Sequence, residues 1–280
     1  MNPKLLDTME YWIRERESIR NQREKGKKRP WTKDPILLKY RFCNVRRMDD
    51  RVSQWLMKNW YEPHKDSHHI PFACSVARQI NWPETLADLT PLVFGKWDAN
   101  KAMKLMERRK YMGQKVYTGA YMLTGTLGGT KIEQTIKKIL SPIKKTPPPL
   151  HWDSMEKTHA AYLPRAGYSS FIAGQVVADM VGCGYLDAED TLTWAPLGPG
   201  SKRGLNRLHG RPLESGIPKK QAVAEMVDVY AEMRVRLPSI FKDRGLILMD
   251  IQNCLCETDK YLRTFNGEGR PRSIFQETVE

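Results

Sequence analysis

Apolar residues in this sequence recur at helical intervals, and nowhere do they alternate over a convincing run of strand length. Leu5, Met9, Trp12 and Ile19 trace one stripe, interrupted only by Arg16; Ala222, Met226, Tyr230 and Met233 trace another, with Val223, Val227 and Leu237 beside it. A chain patterned this way packs helix on helix. The expectation is a mostly α protein. Helices are predicted over the N-terminal stripe, over 36–60, over 97–127 ahead of a glycine-rich stretch, over 152–180 with a sharp turn at 163–167, over 219–237 and over 246–263. Asp34-Pro35 reads as a helix start, because Asp accepts from free amides and Pro tolerates the first turn. Lys144-Lys145-Thr146-Pro147-Pro148-Pro149 reads as a break, since three prolines favour an extended linker over a helix. It predicts two lobes, 1–145 and 146–280.

Charge narrows the partner. Lys and Arg number 46 against 32 acids, a formal net charge of +14. A polyanion answers such an excess, and nucleic acid is the commonest one. No apolar run approaches the ~20 residues of a membrane span, and the first residues carry charge without an apolar signal core. A cytoplasmic protein with no membrane partner is expected. The five cysteines, Cys43, Cys74, Cys183, Cys254 and Cys256, lack the paired spacing of a disulfide scaffold or a zinc site. His64 and His68 stand at i and i+4 without a third ligand nearby, so no metal is expected. Gly125-Thr126-Leu127-Gly128-Gly129-Thr130-Lys131 is not a phosphate loop of the Gly-Lys-Ser/Thr type, because Thr130 precedes Lys131.

Several segments carry chemistry. Arg41, Arg46, Arg47 and Arg51, with Asn44, form a dense set suited to bidentate contacts with phosphate or carboxylate. Leu163-Pro164-Arg165-Ala166-Gly167-Tyr168-Ser169 resembles the hairpin of helix-hairpin-helix DNA glycosylases, which aims backbone amides at a DNA phosphate. It departs from that pattern at Arg165, which replaces a glycine. Ser169 stands near where lyase-type members keep a lysine, so Schiff-base chemistry is not expected. Asp187 and Asp190 lie about where those glycosylases place a catalytic carboxylate; Asp-Ala-Glu-Asp-Thr reads equally as a helix start. Gly198-Pro199-Gly200-Ser201-Lys202-Arg203-Gly204-Leu205-Asn206 reads as an anion-binding loop, or as a basic surface loop. Glu257, Lys260 and Tyr261 share one helical face, where a surface ion pair is the ordinary explanation.

Taken together, Pro30-Trp31-Thr32-Lys33-Asp34-Pro35, Arg41-Phe42-Cys43-Asn44-Val45-Arg46-Arg47, the 198–205 segment and Leu255-Cys256-Glu257-Thr258-Asp259-Lys260-Tyr261 resemble a phage family. It is that of the alpha-glutamyl/putrescinyl thymine pyrophosphorylases, glycosylase-related enzymes of thymine hypermodification. The resemblance implies a two-lobed helical glycosylase-like fold and double-stranded DNA carrying a modified thymine as substrate. It implies an amino acid or polyamine as co-substrate, no further cofactor, and the host cytoplasm as the place of action. A separate kinase first makes a pyrophosphate ester of 5-hydroxymethyluracil, and the family enzyme replaces pyrophosphate with an amine nitrogen. On these residues Gly198, Gly200, Ser201, Lys202, Arg203, Asn206 and Lys260 would hold the leaving group, and Asp187, Asp190 or Glu257 would take the amine's proton. Asn44, Arg46, Arg47, Arg51, Gly167 and Ser169 would hold the amino acid's carboxylate or DNA phosphates. A glycosylase that hydrolyses the N-glycosidic bond and a non-catalytic DNA-binding protein remain open beside this reading.

Overall fold

The computed structural model describes residues 1–118, 127–271 and 273–275. The chain runs through α1 (Pro3–Glu24), α2 (Pro35–Lys39), α3 (Arg51–Leu56), α4 (Ile70–Ile80), α5 (Pro83–Val93), α6 (Ala99–Tyr111) and α7 (Lys131–Glu133). It continues through α8 (Ser141–Lys145), α9 (Met155–Tyr162), α10 (Ser170–Gly182), α11 (Pro199–Leu208), α12 (Lys219–Arg236), α13 (Pro238–Arg244) and α14 (Leu248–Phe265). No strand is present among the described residues, only an isolated bridge between Tyr40 and Ile274. The protein is mostly α, as its periodicity predicts. The helix predicted over 97–127 ends at Tyr111, with residues 112–118 outside any helix, and residues 119–126, where the glycine-rich stretch begins, lie outside the described residues.

Two compact units emerge, and the chain crosses between them twice. Unit 1 is Met1–Asp50 with Leu192–Glu280, and unit 2 is Arg51–Thr191. The triproline stretch therefore lies inside unit 2 and does not divide the molecule. The reason is packing on either side of it. Gly167 has φ +79°, and an added Cβ there would overlap Ile139, so the turn after the prolines lies against the helical turns before them.

In unit 1, α14 is the hub. It buries Leu248, Met249, Ile251, Cys254, Leu255 and Leu262 and packs against α11, α12 and α1. Close approach to α11 depends on two glycines one turn apart. A Cβ at Gly200 would overlap Cys256 Sγ, and one at Gly204 would stand 2.6 Å from the Leu255 carbonyl oxygen. Residues 198–206 are thus not an open loop. Gly198 and Pro199 start a helix, and its Gly200 and Gly204 let it pack closely on α14. Gly204→Ala gives a direct check. In an exposed helix this change stabilises by ~1 kcal/mol; here the backbone clash is expected to cost about 1–3 kcal/mol instead. Urea titration reads the sign, and trimming Leu255 does not relieve it because the clash is with main chain.

In unit 2, α4 is buried along nearly its whole length and packs on α10. Arg78 of α4 forms a two-pronged ion pair with Asp179 of α10, at 1% and 0% side-chain exposure. Tyr61 Oη donates to Asp179 at 2.8 Å, and Arg78 also reaches Ser53 Oγ and Asn81 Oδ1. The predicted 152–180 helices with a sharp turn appear as α9, a turn at 163–169 and α10, with Ser169 capping α10 through Ile172 N.

Candidate active site on helix α14

The predicted helix over 36–60 stops after five residues. From Tyr40 to Arg46 the chain leaves the helix, and hydrogen bonds from distant residues hold it there. Arg16, the charge that interrupts the apolar stripe of α1, is buried. Its guanidinium donates to the Cys43 carbonyl at 3.0 Å, the Phe42 carbonyl at 3.2 Å and Asn44 Oδ1 at 3.1 Å. From the other side α14 contributes Asn253, which donates to the Asn44 carbonyl at 2.9 Å, and Asp250, which accepts from Arg47 N at 2.8 Å. The strap is pinned between α1 and α14, and these tertiary bonds override the helical pattern.

On this strap two consecutive amides each donate to a carboxylate. Cys43 N donates to Glu257 Oε2 at 2.9 Å, and Asn44 N donates to Asp50 Oδ1 at 3.2 Å. Lys260, one turn along α14, pairs with Glu257 at 2.6 Å and lies over the Phe42 ring. Glu257 is 5% exposed. Burial raises the Asp50 pKa and the charge of Glu257 adds to that, while the Asn44 amide and Arg47 pull it down. Glu257, paired with an ammonium, and Asp50, whose pKa burial raises, thus put two carboxyls in unlike surroundings on adjacent amides, the makings of an acid–base pair. Burial pushes the Cys43 thiol well up and Cys256 to about 11, so neither is a thiolate nucleophile at neutral pH.

Tyr261, one turn beyond Glu257, donates to Asp34 Oδ2 at 2.7 Å, and Tyr11 of α1 donates to the same oxygen at 3.0 Å. The other oxygen of Asp34 caps α2 through Ile36 N and Leu37 N, the helix start that Asp34-Pro35 predicts. Asp259 faces the opposite way and pairs with Arg203, Arg207 and Arg263. The four segments quoted for the family resemblance, scattered over the sequence, therefore converge on α14 within unit 1.

Not every expected residue joins them. Gly198, Gly200 and Ser201 reach α14 at Gln252 and Cys256, with Gln252 Nε2 donating to Ser201 Oγ at 3.0 Å. Arg203 is engaged by Asp259 and Glu214, Lys202 by Glu214, and buried Asn206 by the Leu213 and Ser215 carbonyls. Cations matched this way do not form the open nest that the sequence suggests. Asp187, Asp190, Arg51, Gly167 and Ser169 belong to unit 2. Asp190 accepts from Ser154 Oγ, Met155 N and Glu156 N, so it anchors the start of α9, whereas Asp187 is exposed.

Sequence reasoning missed Arg16, Asp34 and Asp250 as site residues. Arg16 left a signal, a lone charge in an apolar stripe. Asp250 left none. It is fully buried, and burial raises its pKa to about 6 although the Ile247 and Arg47 amides and the Arg46 and Arg47 charges lower it. A carboxyl whose pKa rises on folding binds its proton more tightly in the folded state. Its contribution is largest below pH ~4 and is lost as pH rises to about 6, by roughly 3 kcal/mol. Asp250→Asn is expected to gain stability relative to the wild type between pH 4 and 7; thermal unfolding at both ends of that window checks it.

In unit 2, Lys101, Lys104, Arg108 and Lys110 of α6, and Lys144 and Lys145 further on, enter no ion pair among the described residues, while Lys137 and Lys138 interact with Glu133. Lys137, Lys145 and Arg165 line a hollow of about 430 Å³ with Ser141 and Thr146. No described helix is long and apolar enough to cross a membrane, and no group of metal-ligating side chains is found among the described residues.

A family model described as "5-hmdU DNA kinase, helical domain" matches residues 3–270. Among curated proteins the chain is similar to the 5-hmdU DNA kinase of Bacillus phage SP10. The two are 25% identical over 272 residues, which cover 87% of this chain and 42% of that protein. The chain thus spans less than half the length of that relative. No solved structure matches it.

Proposed function

The chain belongs to the family of the 5-hmdU DNA kinase helical domain, and from that premise we propose that it acts on DNA whose thymine is replaced by a 5-hydroxymethyluracil derivative. The step its residues fit best is the one that the thymine pyrophosphorylase resemblance names. In that step the nitrogen of an amino acid or polyamine displaces pyrophosphate from the C5 methylene. The observation that carries this reading is the Glu257–Asp50 pair on adjacent amides of the strap, flanked by Lys260.

The chemistry follows from that pair. The methylene C–O bond breaks with its electron pair leaving on pyrophosphate, assisted by the uracil ring. Lys260, the cation paired with Glu257, offsets the departing charge. The amine attacks the exposed methylene, a C–N bond forms, and the surplus amine proton passes to the Glu257 carboxylate. Lys260 takes the leaving-group role in place of Lys202 and Arg203 because it stands beside Glu257, the proposed proton acceptor. The cations of α6 in unit 2, and Lys137, Lys145 and Arg165 around their hollow, suit the phosphates of a duplex.

A second reading has its own support: the match is to the helical part of a kinase and to 42% of the SP10 protein. In that reading the chain presents the hydroxymethylated base for phosphorylation and performs no chemistry itself. One experiment separates the two. The protein is incubated with 5-hydroxymethyluracil duplex and ATP, and separately with the pyrophosphorylated duplex and glycine, glutamate or putrescine. Digestion to nucleosides and mass measurement follow. An amine-substituted nucleoside in the second arm is the expected result. Unchanged nucleosides with salt-sensitive duplex binding assign the presenting role, and abasic sites assign a glycosylase.

A further inference from the structure

The stretch between α1 and α2 forms a wall between two hollows. Pro30, Trp31 and Thr32 line one of about 670 Å³ and another of about 630 Å³. The indole is fixed in place: its Nε1 donates to the Lys27 carbonyl at 2.7 Å, and the Trp31 carbonyl accepts from Gln22 Nε2 at 2.8 Å. Across the larger hollow stands Phe275. A short antiparallel pairing brings it there, with Phe275 N donating to the Lys39 carbonyl at 3.0 Å and Arg41 N to the Ser273 carbonyl at 3.1 Å. The Arg29 guanidinium lies between the two rings, 4.8 Å from the centre of Trp31 and 4.6 Å from that of Phe275. Lys39 completes the charged part of the rim, and Leu38, 42% exposed, the apolar part.

Among the described residues no carboxylate lines this hollow. Its features are two aromatic faces, an aliphatic floor and two cations, in a volume typical of small-ligand sites. A guanidinium that meets rings through its central carbon keeps N–H groups for a bidentate anion. The ligand that answers all of these is flat, π-faced and negatively charged at one edge. We propose that the Trp31–Phe275 cleft binds an unstacked nucleotide, with the base against the rings and the phosphate on Arg29 and Lys39. Every base has a π-face, so such a platform accepts a strand without reading its sequence. None of these residues contacts Glu257, Asp50 or Lys260 in the described interactions, so the site is tested without reference to the reaction proposed above.

The same chemistry is offered by a nucleotide within a DNA strand and by a free mononucleotide. The probes are therefore an unmodified single-stranded oligonucleotide carrying one 2-aminopurine, and free 2-aminopurine deoxynucleoside monophosphate. Stacking on the rings quenches the probe. The expected results are a Kd about ten-fold weaker for Trp31→Ala and Trp31→Phe within a few-fold of wild type. Arg29→Ala should lower the salt slope of strand binding by about 0.7, the share of one phosphate. Quenching of the strand alone assigns a DNA segment, and equal quenching of the mononucleotide assigns a free nucleotide. Quenching that is unchanged in Trp31→Ala in both arms, with the variant folded by circular dichroism, overturns the proposal.

Discussion

Replacing Glu257 by glutamine is expected to slow amine transfer to pyrophosphorylated 5-hydroxymethyluracil DNA by about 10²- to 10⁴-fold, the range of a lost general base. Duplex affinity should stay within about two-fold, since the phosphate-facing cations of the proposal lie elsewhere. Glutamine keeps an oxygen to accept from Cys43 N and so preserves the strap, but it neither takes a proton nor pairs with the Lys260 ammonium. The pH profile discriminates a chemical role from a structural one. Loss of base catalysis removes the acidic limb of the kcat profile, whereas a loosened strap lowers kcat at every pH without changing its shape. Turnover within three-fold of wild type would sink the assignment of Glu257 as proton acceptor and leave Asp50 as the carboxylate to examine.

The second large effect is on stability. Asp179→Ala is expected to destabilise unit 2 by about 3–5 kcal/mol, because it strands a guanidinium that is 1% exposed. It also removes the acceptor of the Tyr61 hydroxyl. Replacing both partners with apolar residues, Arg78→Met with Asp179→Leu, should recover most of that loss, since the pair offsets its own desolvation. Urea titrations of the single and double variants measure the difference. A double variant as unstable as the single one would mean that the surrounding bonds to Ser53, Asn81 and Tyr61 matter more than the charges.

What the sequence disclosed depends on where each element finds its partners. Helices α1, α12 and α14 bury a face along their own length, so their period is visible in order. The strap at 40–46 is not legible, because its hydrogen bonds come from Arg16 on one side and from residues 250–257 on the other. Local pattern cannot register a bond to a residue more than 200 positions away. Gly198-Pro199-Gly200-Ser201 was open to two meanings. Glycine and proline mark loops, but Pro also starts helices, and the four-residue spacing of Gly200 and Gly204 is that of a helix–helix contact. Glu257 and Lys260 were identifiable as a pair on one helical face; what remained invisible was that the face turns inward onto Cys43. Asp190 went the other way, its helix-start signature appearing as a bond to the beginning of α9.

The double crossing between the units sets an order on how this molecule matures. Translation delivers the first 50 residues early, yet α11, α12 and α14, on which they rest, follow only after all of unit 2. At 5–20 residues per second that interval is roughly ten seconds or more. Throughout it Leu6, Met9, Trp12 and Ile13, buried at the end, have only residues 35–50 of their own unit beside them, where Phe42 meets Trp12. The middle of the chain, with its contacts closed within one stretch, has all its partners at hand first. Helix α1 thus waits longest for its partners, and the strap that carries Cys43 and Asn44 is set only when α14 arrives.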